Sequence, residues 1–72
     1  MKIEQQLNMK DRTLLLGKPD YNIIPNDVSV DENTFKVIGI SCGVKLPYIS
    51  IEIEKTDLEL IGKIATANSN LN

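Results

Sequence analysis

The chain has no histidine, no tryptophan and a single cysteine, Cys42. Each absence removes a chemistry. Without imidazole there is no His general base and no Ser-His or Cys-His nucleophile pair. A Cys/His zinc site takes about four such ligands and cannot be built around Cys42 alone. One cysteine cannot form a disulfide within its own chain, so a reducing compartment is the expected setting.

Long apolar runs are also missing. The longest strictly apolar stretches are no longer than Leu14-Leu15-Leu16, so none is long enough to cross a bilayer. The opening residues Met1-Lys2-Ile3-Glu4-Gln5-Gln6 have no apolar run of the kind a signal peptide carries, and the expected location is cytoplasmic. Charge of one sign is scarce too. Eight Lys+Arg stand against ten Asp+Glu, for a net charge of −2. Phosphate-driven binding to nucleic acid depends on clustered cations, which this balance disfavours. Gly17, Gly39, Gly43 and Gly62 form neither of the glycine patterns that cradle phosphates.

The sequence is rich in aliphatics. Hydrophobic residues make up 42% of the 72 residues while aromatic ones make up 4%, so Ile, Leu and Val must build the core. At this length the expectation is one small domain. The β-branched excess favours strands. From Tyr48 to Glu54, Ile49, Ile51 and Ile53 alternate with Ser50, Glu52 and Glu54, which places the isoleucines on one face of a strand. Thr34–Ser41 reads as a more central strand, with Phe35 and Val37 on one face and Ile38 and Ile40 on the other. Gly39 marks a bulge or a close backbone approach within it. Val28-Ser29-Val30 is a short strand turned into the next by Asp31-Glu32-Asn33. Arg12–Gly17 is a further strand with Leu14 and Leu16 on one face. Ile3, Gln5, Leu7 and Met9 alternate as its hairpin partner through Lys10-Asp11.

Thr56–Ala65 fits two descriptions. Leu58, Leu60 and Ile64 alternate as in a strand, whereas Thr56 with Glu59 resembles a capping box and Leu58, Ile61 and Ala65 a helical stripe. A hairpin strand is preferred, because Gly62 within so short a helix costs about 1 kcal/mol relative to Ala. The polar stretch 66–72 is expected to be a flexible tail after a domain over 1–65. The expected class is mainly β: a single antiparallel meander or half-closed barrel, with SH3-like and OB-like barrels as the comparisons of pattern and a short C-terminal helix as the alternative end.

Candidate binding residues come from the loop 41–47 between the two best strands and from the tyrosines. Val44, Lys45, Leu46 and Tyr48 would form a contact surface, with Tyr21 a second aromatic anchor. The competing role of Val44 and Leu46 is to cap the barrel end, and it is the commoner one for aliphatics. Cys42 has only Lys45 nearby in sequence to lower its pKa, and it reads as a small apolar residue. Glu52 and Glu54, about 6–7 Å apart on one strand face, read as a solvated pair matched across the sheet by Lys63 or Lys36. No catalytic, metal or cofactor residues are assigned. The functional expectation is a non-enzymatic interaction module that binds another protein or a second copy of itself. The alternative is a barrel binding RNA or single-stranded DNA.

Overall fold

The computed structural model describes residues 1–19, 25–41 and 48–68. Among them are six strands and no helix: β1 (Gln5–Asn8), β2 (Arg12–Gly17), β3 (Asp27–Val30), β4 (Asn33–Ser41), β5 (Ile49–Glu54) and β6 (Ala65–Asn68). All pair antiparallel in one sheet of order β1-β2-β5-β4-β3-β6. Three neighbouring pairs are consecutive hairpin partners or a meander step. The β2–β5 and β3–β6 pairings join segments distant in sequence.

The ends of the sheet approach each other. Met1 and Ala65 exchange two main-chain hydrogen bonds of 2.8 Å. The Ile3 N–H donates to the Lys63 carbonyl and the Gly62 N–H to the Ile3 carbonyl. Lys2 thereby pairs with Ile64, and the segment before β1 closes the wall onto the segment before β6. Further along β1 the wall is completed by a side chain. Gln6 donates from Nε2 to the Leu58 carbonyl (2.8 Å) and accepts at Oε1 from the Leu60 N–H (2.7 Å), as a neighbouring peptide group would. The result is a half-closed barrel.

Its core holds Met1, Ile3, Leu15, Val28, Val30, Phe35, Ile51, Ile53, Leu60 and Ala65, flanked by Val37, Ile40 and Ile49. The alternating isoleucines of β5 line the inside, as their period-2 spacing predicts.

Two bulges reassign faces elsewhere. In β4 the register shifts between Val37 and Gly39. The extra residue, Ile38, is left exposed, and Ile40 rejoins Phe35 and Val37 on the core side. Ile38 and Ile40 therefore do not share the face that simple alternation gives them. In β1 the Glu4 N–H donates to the Leu16 carbonyl although Gln5 is the residue opposite Leu16, so two residues stand against one. Ile3 is consequently buried, while Leu7 and Met9 are exposed and Gln6 faces inward opposite Leu15. In β2 the inward set is Thr13, Leu15 and Gly17, which turns Leu14 and Leu16 to the outer face.

Thr56–Ile64 is neither the preferred hairpin strand nor a helix. The Thr56 hydroxyl accepts the Leu58 N–H in a local turn. Leu60–Lys63 forms a β-turn closed by the Lys63 N–H, with Gly62 at a φ of 87° in its third position. Only Leu60 of this connection enters the core. The expected tail gives way to strand as far as Asn68, because Thr66, Ala67 and Asn68 pair with Ser29, Val28 and Asp27. Backbone pairing along β3 outweighs their polar composition.

Candidate functional site: the outer face of β1, β2, β5 and β4

Of the candidate binding residues read from the sequence, Tyr48 is the one that lies among those described. It is half-buried just before β5, with the Lys18 ammonium 5.4 Å from its ring centroid, a cation–π distance. Tyr21, Val44, Lys45, Leu46 and Cys42 lie outside the described residues. The candidate surface is therefore built from other side chains.

Residues directly opposite one another in a sheet share a face. The pairs Leu7–Leu14, Gln5–Leu16, Leu16–Ser50, Leu14–Glu52, Ser41–Ser50 and Gly39–Glu52 carry one outer surface across four strands. Two concavities lie on it. One, of about 290 Å³, is lined by Gln5, Gln6, Leu7, Leu14, Leu16 and Ser50. The other, of about 620 Å³, is lined by Met9, Asp11, Arg12, Leu14, Ser41, Ser50 and Glu52. They meet at Leu14 and Ser50, so the surface is one furrow with an apolar and a polar half.

Leu7 is 59% exposed and Met9 43%, a high value for apolar side chains lying beside two further leucines. Ser50 is only 6% exposed although it sits on the outer face, and its hydroxyl has no hydrogen-bond partner among the described residues. A group of this kind is ordinarily bonded.

The polar half is electrostatically matched. Arg12 forms ion pairs with Glu52 and, at 3.3 Å, with Asp11. The Asp11 hydrogen bonds, followed by those of Glu52, raise the guanidinium pKa. The Arg12 hydrogen bond lowers that of the Asp11 carboxyl. Glu52 thus pairs with Arg12 rather than with a lysine. Glu54 accepts the Lys36 main-chain N–H at 3.2 Å, and Lys63 instead meets Asp31 at 2.7 Å. Among the described residues no group of three or more Cys, Asp or Glu is placed to hold a metal ion. No helix among them is long and apolar enough to cross a membrane.

Sequence reasoning missed the furrow because it gave Leu14 and Leu16 no outward role. The signal was present in Leu14-Leu15-Leu16: three successive leucines in a strand place apolar surface on both faces, whichever face is buried. The chain matches no protein-family model, no curated protein and no solved structure.

Proposed function

We propose that this chain is a non-enzymatic β-barrel interaction module whose partner is a protein, either another chain or a second copy. The observation that carries the reading is the apolar strip of exposed Leu7 and half-buried Leu14 and Leu16 beside the buried Ser50 hydroxyl, which has no hydrogen-bond partner among the described residues. A strip of this kind gains by being covered, and the hydroxyl offers a polar contact within it. Arg12, a cation lining the furrow, is matched by Asp11 and Glu52, which favours a protein surface over a phosphate backbone. A single cysteine supports a reducing, cytoplasmic setting.

Affinity capture with the tagged chain and its Leu7→Glu variant, read with native mass spectrometry, tests the reading. The expected result is a bound protein or a self-assembled species that the variant loses while its circular dichroism stays unchanged. Identical capture by both chains, with both monomeric, would overturn it. So would tight binding of single-stranded RNA at about 50 mM salt that weakens steeply as salt rises.

A further inference from the structure

The acceptors left open in the furrow point to the chemistry of the partner. Ser50 and Glu52 stand two places apart on the outer face of β5, about 6–7 Å from each other. The Ser50 hydroxyl is buried and has no hydrogen-bond partner among the described residues. Of the Glu52 carboxylate, Oε1 is taken by Arg12 of β2. Oε2 lies on the opposite side, over Gly39 of β4, 3.6 Å from where a Cβ would stand there. It accepts no hydrogen bond among the described residues. Arg12 also holds both oxygens of Asp11. The ionised groups lining the polar half are thus two carboxylates against one guanidinium, an excess of one negative charge. Lys55, whose ammonium is bound to the Met9 carbonyl at 2.6 Å, stands on the Asp11 side and does not line the furrow.

We propose that the occupant is a segment of another protein that sets a lysine on Glu52 and Ser50 and an aliphatic side chain on Leu7, Leu14 and Leu16. The inference rests on the protein-binding reading of this face. A carboxylate oxygen and a hydroxyl can both accept, and covering either without a donor is unfavourable. A lysine ammonium brings three donors on a compact head, enough for Oε2 and the hydroxyl together, and its charge offsets the negative excess. Its aliphatic stem lies along Leu14, the residue opposite Glu52. An arginine fits less well. Its planar fork binds both oxygens of one carboxylate, and Oε1 is already held by Arg12. Both contacts are within reach of one segment: β2 and β5 are neighbours, about 4.8 Å apart, and alternate residues of an extended chain are about 6–7 Å apart. A second copy docked furrow to furrow is disfavoured. A two-fold contact sets the same acidic surplus against itself, and no lysine lines the furrow to offset it.

The test takes n-hexylammonium chloride, hexan-1-ol and sodium hexanoate, one tail with three heads, and follows the amide shifts of the full chain alongside affinity capture. The ammonium should move the Gly39, Ser50 and Glu52 amides and bind about tenfold tighter than the alcohol, with hexanoate no tighter than the alcohol. Glu52→Gln, which keeps the shape of the side chain, should bring the ammonium down to the affinity of the alcohol. Ser50→Ala should weaken it about threefold. A protein captured by the wild-type chain should be held about tenfold less tightly by Glu52→Gln, and carbodiimide activation should join Glu52 to one of its lysines. Equal binding of ammonium and alcohol, tighter binding of hexanoate, or a self-assembled species in place of a different protein would overturn the proposal. Capture that depends on Leu7 but not on Glu52 would leave the interaction-module reading standing and remove only the lysine. The absence of any Leu7-dependent partner would remove both.

Discussion

A Cβ atom at Gly17 would come within 2.3 Å of the Lys2 carbonyl oxygen. Gly17 ends β2 where the segment before β1 crosses it on the way to Ala65, and Met1 packs against the same point. The absence of a side chain lets the two backbones approach closely enough for the wall to close. Gly17→Ala should therefore cost about 1–3 kcal/mol in urea denaturation, with faster amide exchange at Ile3 and Ala65. A variant as stable as the wild type would show that the crossing does not depend on this glycine.

Gln6 acts as a side-chain substitute for a strand. Its amide satisfies both the Leu58 carbonyl and the Leu60 N–H, and Leu60 is a core residue. Gln6→Met keeps the length of the side chain and removes both bonds. The expected loss is about 1–3 kcal/mol, the cost of leaving such groups unsatisfied. Protection of the Leu60 amide should fall by more than that of the β5 amides. Equal protection before and after substitution would remove Gln6 from the wall.

Leu7 and Leu15 test the assignment of faces. Leu15 is fully buried, whereas Leu7 is 59% exposed. Leu15→Ala should cost about 2–5 kcal/mol, enough to unfold much of the population in a domain this small. Leu7→Ala, measured at concentrations too low for association, should change stability by about 0.5 kcal/mol or less. The opposite order of effects would place the wrong face of β2 in the core.

The Asp11 carboxyl has its pKa lowered by Arg12 from the ordinary aspartate value of 3.8. A carboxylate whose folded pKa is depressed contributes stability above the unfolded value, and loses it as pH falls through the folded one. Asp11→Asn should thus leave stability at neutral pH almost unchanged, because the pair is solvent-screened, and should flatten the acid side of the profile below about pH 4. The check is a set of thermal melts from pH 2 to pH 7. Parallel profiles for the two chains would show that the Asp11–Arg12 pair has no linkage to folding.

The strands of the central sheet are legible in the residues themselves. Ile51 and Ile53 lie inside, Gly39 adjoins a bulge, and Asp31-Glu32 turns β3 into β4 with Asp31 at a φ of 57°. The furrow was less legible. Leu14 and Leu16 satisfy the alternation rule equally well pointing in or out, and Leu15 between them competes for the core. Thr66–Asn68 gave no strand signal, since small and polar residues reveal a strand only through the partner that pairs with them. Thr56–Ala65 matched two periodicities because its apolar residues serve a turn and two core contacts, at Leu60 and Ala65.

Local composition and period-2 spacing determined that this chain is a small β protein with an aliphatic interior and no imidazole chemistry. These properties depend on residues a few positions apart, where side chains alternate with the pleat. Tertiary structure decided which strands are neighbours, which leucines face outward and where the wall closes. Those outcomes depend on contacts such as Met1 with Ala65, 64 positions apart. They depend also on the bulges at Glu4 and Ile38, each of which inserts one residue and so exchanges the inner and outer faces of everything beyond it.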